Sequence, residues 1–326
     1  MYSRILVTGG AGFIGSNFIN HLHSTYPDTF IANIDRLDYC SNVNNVTANK
    51  DEARYKLYPF DINNKEAVME ILHTNSITCV VHFAAQSHVD NSFGNSLQFT
   101  LDNVLGTHTL LECCRVYQAA THNLQKFLHI STDEVYGEVE ADHEGCTEHA
   151  SLLNPTNPYA ASKAGAEFIV RSYYYSFGLP IVISRGNNVY GLNQYPEKII
   201  PKFIKQLLAN EKVTIHGQGA SLRNFVNVED VSEALALIVQ HGQLNQVYNI
   251  GGEDEFSVLE IARYLINLIK PNEAPEEHMT FVPDRLFNDK RYCVDCSRLH
   301  KLGWTPKVKF EDGIKEAVRN AGLKTK

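Results

Sequence analysis

Three side chains able to hold or move a proton stand together at Thr132-Asp133-Glu134, inside the stretch Ser131 to Gly137. The apolar run Phe127 to Ile130 before them predicts a buried strand. The acids therefore fall just past its C-terminal end, the edge of an open parallel sheet where ligands bind. Neighbouring carboxyls repel, and burial raises the pKa of each, so such a pair suits general acid and general base work. Taken alone, the triplet reads more readily as a solvated acidic turn. A second pair lies downstream. Tyr159 and Lys163 are four residues apart in Pro158-Tyr159-Ala160-Ala161-Ser162-Lys163, hence on one face of a helix predicted to run to about Phe177. A nearby ammonium favours a phenolate and lowers the tyrosine pKa towards the working pH. The bland alternative is a surface Tyr and Lys on an ordinary helix.

The elements that must position these groups alternate between strand and helix. Arg4 to Val7 reads as a strand and runs into Gly9, Gly12, Phe13, Ile14 and Gly15, then a helix to about His23. Glycines three apart between strand and helix let backbone approach a pyrophosphate at a helix N-terminus. A strand over Phe30 to Ile34 ends in Asp35, twenty residues after Gly15. A carboxylate there can bind both hydroxyls of an adenosine ribose and repels a 2′-phosphate, which favours NAD over NADP. Arg36 weakens that preference, since an arginine can accommodate the phosphate. A strand over Tyr55 to Phe60 ends in Asp61-Ile62, with a helix over Asn64 to His73. Another, Thr78 to Phe83, ends in Ala84-Ala85-Gln86-Ser87-His88-Val89-Asp90, where small residues let a cofactor lie flat against backbone. Leu97 to Gln118 reads as one long helix. The alternation predicts an α/β fold with a doubly wound parallel sheet. Glycine turn, ribose acid, Ser/Thr after a strand and Tyr-x-x-x-Lys in this order point to a nicotinamide-dependent enzyme.

Composition narrows the class. The 326 residues are 44 % hydrophobic and 20 % charged, and the net charge of −8 argues against non-specific nucleic-acid binding. A basic ligand site must then be a local cluster. No apolar run reaches the ~20 residues needed to span a bilayer, and no signal-peptide pattern opens the chain. Seven irregularly spaced cysteines suggest free thiols in a reducing compartment, hence a cytoplasmic location. Cys293-x-x-Cys296 lacks a second pair, so no metal site is expected. Asn45-Val46-Thr47 reads as a chance sequon. From Ile181 the organisation changes: Glu138 to Pro158 before it reads as a surface loop, and glycines, prolines and scattered basic residues beyond suit a ligand-capping domain. We expect residues 1–184, with about 225–250, to form one domain, and 185–224 with 251–326 a smaller one interleaved with it.

The chain resembles an extended short-chain dehydrogenase/reductase nearly end to end. Within that class Thr132-Asp133-Glu134 with Tyr159 and Lys163 resembles the nucleoside-diphosphate-glucose 4,6-dehydratases. The segments Ala84 to Asp90, Tyr195-Pro196-Glu197-Lys198, Arg223-Asn224-Phe225, Asp284-Arg285 and Arg291-Tyr292 are similar too. Sugar-nucleotide 4-epimerases usually lack the paired acids, and GDP-mannose dehydratases usually have a Ser where Asp133 stands. The resemblance implies a Rossmann domain binding NAD through Gly9, Gly12, Phe13, Ile14, Gly15, Asp35, Asp61, Ile62, Ala84, Ala85 and Ser131, with Tyr159 and Lys163. A smaller mixed α/β C-terminal domain would hold the sugar nucleotide.

The resemblance also implies roles. Tyr159 takes the proton of the glucose 4-hydroxyl, Lys163 holds phenolate and ribose, and Thr132 hydrogen-bonds near the 4-oxygen. Glu134 removes the proton at carbon 5, and Asp133 protonates the departing 6-hydroxyl. For the diphosphate it offers Arg223 and Arg285, with Asn188, Lys198 and Tyr292. Ser87, His88 and Asp90 stand near the sugar. The late motif Arg285-Leu286-Phe287-Asn288-Asp289 looks more like the UDP-glucose dehydratase part of rhamnose synthases than like bacterial dTDP-glucose enzymes. A homodimer through the helices at Leu97 to Gln118 and Tyr159 to Phe177 is implied as well. The competing readings are a 4-epimerase on the same scaffold and a catalytically silent NAD-binding module.

Overall fold

The computed structural model describes residues 1–140, 144–149, 151–284 and 287–324. In chain order its strands are β1 (Arg4–Thr8), β2 (Phe30–Ile34), β3 (Tyr55–Tyr58), β4 (Cys79–His82), β5 (Lys126–Thr132), β6 (Ile181–Gly186), β7 (Asn188–Tyr190), β8 (Val213–His216), β9 (Leu222–Asn227), β10 (Val247–Ile250), β11 (Glu255–Ser257) and β12 (Met279–Val282). Seven of them form one sheet in the order β10-β6-β5-β4-β1-β2-β3, and every neighbouring pair is parallel. Its central strands are near-continuous apolar runs, because helices cover both faces. Ile5, Val7 and Val81 pack with Phe18, Ile19, Leu235 and Val239 from the helices Phe13–Thr25 and Val228–His241. On the other face Leu6, Val80 and Phe127 meet Val68, Leu72, Leu110 and Val170 from Lys65–Thr74, Gly106–Thr121 and Pro158–Phe177. Each fully buried side chain of this size contributes about 1.5–3 kcal/mol.

The chain runs outward from β1 to β3, then returns to lay β4 on the other side of β1. That reversal opens a crevice at the C-terminal ends of β1 and β4. The glycine turn after β1 and the Ala84-Ala85 segment after β4 therefore meet at one place. A third core lies apart from the large sheet, with Phe203, Leu207, Ile215, Leu265 and Phe310 among its members. It supports the small sheets β11-β9-β7 and β12-β8.

Three elements differ from expectation. Strand β5 continues through Ser131 and Thr132, so only the acids lie beyond it, on the 3₁₀ turn Asp133–Tyr136. The predicted helix Leu97 to Gln118 begins at Ser96, passes through a π turn over Thr100–Leu105 and continues as Gly106–Thr121. The widened turn carries the adjacent polar residues Asp102 and Asn103, both buried. The segment 138–158 is not simply a surface loop. Cys146 and Glu148 are buried, and Cys146 forms a parallel bridge with Val294.

Candidate active site

Two cavities of about 340 Å³ and about 250 Å³ adjoin at the C-terminal edge of the sheet and share Phe13, Ile14, Ser87, Ile130, Ser131 and Tyr159 among their walls. The smaller lies over the glycine turn. Gly9 has φ +70°, and a Cβ there would sit 2.7 Å from the Ala84 backbone nitrogen. Glycine is required both by conformation and by close approach to the strand β4 exit. At Gly15 a Cβ would be 2.5 Å from the Gly9 carbonyl oxygen. Gly12 caps the Phe13–Thr25 helix without a side-chain hydrogen bond, so N–H groups at the helix start are left to a ligand. Asp35, Asp61, Ile62, Ala84, Ala85 and Lys163 line this cavity too. Asp35 is oriented by the Ala11 amide (2.9 Å) and the Ser41 hydroxyl (2.9 Å). The Ser131 hydroxyl is buried in the shared wall without a partner among the described residues. An uncapped helix start, glycine backbone and an orphaned hydroxyl fit a dinucleotide.

The acid pair belongs to the larger cavity. Thr132 ends β5 as the cap of the 3₁₀ turn: its hydroxyl accepts from the Glu134 amide at 3.3 Å and donates to Asp133 Oδ1 at 3.2 Å. Asn187 donates to Asp133 Oδ2 at 2.6 Å. Burial first, then the Glu134 charge, pushes Asp133 up to about 7, outweighing the Asn187 and Thr132 hydrogen bonds. Burial likewise raises Glu134, against the pull of a 3.0 Å hydrogen bond from Asn157 Nδ2. Asn187 is itself tightly seated, for a Cβ at Gly251 would lie 2.1 Å from its Oδ1.

Tyr159 and Lys163 start the Pro158–Phe177 helix, whose beginning is fixed by Asn157 Oδ1 accepting from the Ala160 amide at 2.9 Å and by Pro158 at the first position. Gly178, at φ +66°, ends it. Lys163 Nζ donates to the Ile130 carbonyl at 2.6 Å, and burial brings its pKa down to about 8. One turn on, Glu167 forms a buried bidentate pair with Arg185 of β6, at 3.0 and 2.6 Å, which ties the helix to the sheet. The expected lowering of Tyr159 by Lys163 is not what the chain's own groups produce. Burial, then Glu134, raises the phenol, and the Thr132 hydrogen bond does not offset them.

Ser87, His88, Asp90, Asn188, Lys198, Arg223 and Tyr292 line the larger cavity with the acids. Lys198 donates to the Ser87 carbonyl at 2.7 Å, and His88 lies 3.5 Å from Glu197. Arg223 is held by the carbonyls of Leu222 (2.7 Å) and Asp289 (2.9 Å), with its guanidinium 4.5 Å over the Tyr292 ring. The Tyr292 hydroxyl donates to Asp289. Arg285 lies outside the described residues. Sequence reasoning missed Asn157 and Asn187, whose partners are 23 and 54 residues away. An Asn-Pro helix start is a cap signal for the first, though it says nothing of Glu134. Among the described residues no cluster of His, Cys, Asp or Glu could hold a metal ion, and no helix is long and apolar enough to cross a membrane. All seven cysteines are free thiols.

A glycine turn and a Tyr-x-x-x-Lys helix brought to one edge of this sheet make the protein an extended short-chain dehydrogenase/reductase. The family model described as GDP-mannose 4,6 dehydratase matches residues 6–317, and the chain belongs to that family of nucleotide-sugar 4,6-dehydratases. It is 46 % identical over 315 residues to a trifunctional UDP-glucose 4,6-dehydratase/UDP-4-keto-6-deoxy-D-glucose 3,5-epimerase/UDP-4-keto-L-rhamnose-reductase of Arabidopsis thaliana, covering 97 % of this chain and 46 % of the plant protein. The chain thus spans about half the length of that relative. It is 45 % identical over 318 residues to the mouse dTDP-D-glucose 4,6-dehydratase, covering 97 % and 87 % of the two. The crystal structure of the dTDP-glucose 4,6-dehydratase DesIV from Streptomyces venezuelae, with NAD and TYD bound, superposes with a TM-score of 0.90 at 37 % identity, covering 97 % and 96 %.

Proposed function

We propose that the protein is an NDP-glucose 4,6-dehydratase that uses NAD to convert UDP-glucose, in preference to dTDP-glucose, to the 4-keto-6-deoxy sugar nucleotide and water. The observation that carries this is the pair of buried Asp133 and half-buried Glu134 facing the cavity that Tyr159 shares with the cofactor pocket. An epimerase returns hydride to carbon 4 and needs no acid pair. A silent module needs neither the pair nor Tyr159 with Lys163.

NAD, when bound, supplies a hydride acceptor and donor and a positive ring charge. Tyr159 removes the 4-hydroxyl proton, Lys163 orients the ribose, and Thr132 holds the 4-oxygen. The carbon-4 ketone acidifies carbon 5. Glu134 then takes that proton, and Asp133, protonated near neutral pH, gives its own to the departing 6-hydroxyl. Asn188, Lys198, Arg223, Arg285 and Tyr292 hold the diphosphate, while Ser87, His88 and Asp90 face the glucose. Residues 1–184 with about 225–250 serve the cofactor, and 185–224 with 251–326 the sugar nucleotide. The product feeds deoxysugar synthesis such as that of rhamnose, in the cytoplasm. The working form is a homodimer, supported by exposed apolar side chains on the two helical segments expected at its interface: Leu97, Leu101 and Leu105 (78, 48 and 48 %) on the first, Phe168 and Tyr175 (61 and 71 %) on the second.

Incubation with UDP-glucose and dTDP-glucose side by side should give loss of one water by mass, faster with the former. Deuterium at carbon 4 should reappear at carbon 6 of the same molecule. Its return to carbon 4, with galactose-configured product, would overturn the reading in favour of an epimerase.

A further inference from the structure

An arginine directly after the ribose-binding acid is the residue type that accommodates a 2′-phosphate. Arg36 occupies that position, and it lines the cavity with Gly12 and Asp35. Its guanidinium has five N–H donors. Nε donates to Asp38 Oδ2 at 3.1 Å. Nη2 donates to Asp38 Oδ2 at 2.7 Å and to Asp102 Oδ2 at 2.8 Å. Nη1 donates to Asp102 Oδ1 at 2.8 Å and to Asp61 Oδ2 at 3.3 Å. These five bonds use every donor, and each acceptor is a carboxylate.

Asp102 is the buried anchor of this arrangement, at 8 % exposure. It grips Arg36 in a two-pronged fork, the strongest geometry for such a pair. Two side-chain amides fix its own oxygens: Gln86 Nε2 and Gln98 Nε2 each donate at 2.9 Å. It reaches the cavity from the π turn Thr100–Leu105. Three carboxylates around one guanidinium leave a net charge of −2, and Asp35 adds another negative charge close by. A phosphate ester of about −1.5 to −2 would meet repulsion and no free donor.

We propose that Asp38, Asp61 and Asp102 saturate Arg36 and so turn a residue type that would accept NADP into part of a wall that rejects it. This rests on the NAD reading given above. The three carboxylates act through Arg36 as positioning residues; none is required to touch the cofactor for the effect.

The test equilibrates the purified full chain with an equimolar excess of NAD and NADP, removes unbound nucleotide and quantifies the retained dinucleotides by mass. The Asp38→Asn/Asp102→Asn variant should raise the retained NADP:NAD ratio about tenfold or more, the scale of an uncompensated Arg36 charge attracting the 2′-phosphate in a half-exposed site. Adding Arg36→Ala to that variant should return the ratio to near the original. A general structural defect would lower both dinucleotides and leave the ratio alone. Should the buried substitution prevent folding, Asp38→Asn/Asp61→Asn alters only side chains that are 36 and 38 % exposed. It removes two of the three negative charges from Arg36, turning three of its bonds from charged to neutral acceptors, and should raise the ratio about threefold on the same electrostatic scale. An unmoved ratio in variants that retain NAD, or a gain that survives Arg36→Ala, overturns the proposal. If the unaltered protein retains neither dinucleotide, the cofactor reading fails and takes the proposal with it.

Discussion

Asp133 is pulled in two directions, and the magnitudes decide which wins. Amide and hydroxyl donors favour its anion, whereas burial and Glu134 favour its acid, and its pKa ends at about 7. The two carboxyls titrate as a coupled dyad. In the proposed mechanism Asp133 must hold a proton, so kcat should fall as pH rises above about 7. Asp133→Asn should lower kcat by about 10²–10⁴-fold, the usual range for a lost acid, with the protein still folded. A stability consequence follows from the same shift. The native pKa lies above the unfolded value of about 3.9, so the native state binds this proton more tightly. That contribution is fully present below about pH 3.9 and is lost as pH rises through about 7. Denaturant titrations should therefore show the wild type losing stability relative to Asp133→Asn between pH 5 and 8. A constant difference across that range would remove Asp133 as the raised group. The acids, Tyr159 and Lys163 were legible as residues. The raising of the acids by burial and mutual repulsion was legible too. The electrostatics of Tyr159 were not: the phenol was expected to be lowered by Lys163, yet its environment depends on burial and on Glu134, which spacing along the chain does not encode.

The Pro158–Phe177 helix begins with one amide that does two things. Asn157 Oδ1 caps the helix while Nδ2 donates to Glu134, so the base and the Tyr159-bearing helix are set by one side chain. Asn157→Ala should cost about 1 kcal/mol of stability as a lost cap and lower kcat as well. Asn157→Asp keeps the cap oxygen but faces Glu134 with a second carboxylate. It should therefore leave stability nearer the wild type and move the acid limb of the kcat/KM profile to higher pH. If Ala and Asp variants have equal pH profiles, Asn157 does no more than cap. The helix limits themselves were legible, from Pro158 at one end to about Phe177 at the other. The π turn was not. Its apolar spacing resembles an ordinary helix, and the widening follows from Asp102 and Asn103 finding partners across the crevice: Arg36 for one, Gln86 and Ser162 for the other.

Across the whole molecule, the apolar runs and glycine punctuation foretold the parallel sheet. They did so because strands covered on both faces leave a simple mark in the sequence. The small sheets were less visible: β7, β11 and β12 have three or four residues each and are fixed by packing on the third core. Loop 138–158 was misread as exposed because its polar composition hides the burial of Cys146 and Glu148. The exposed row Leu97, Leu101 and Leu105 with Phe168 bears on assembly. Leu101→Glu/Phe168→Glu should shift a dimer to monomer by light scattering with far-UV circular dichroism unchanged, since both side chains are already solvent-exposed in the single chain. A wild-type monomer at working concentration would sink the dimer.

Gly251 follows directly after β10, the edge strand of the sheet, and contributes no side chain to anything. Yet any methyl group there would collide with the amide that holds Asp133. The setting of the acid is thus written partly in an empty space more than a hundred residues away along the chain. A gene drifting through otherwise neutral changes could not cross that position without disturbing the chemistry. An engineer who placed a side chain at that glycine would push Asn187 off Asp133 while every residue named in the proposed reaction remained in place.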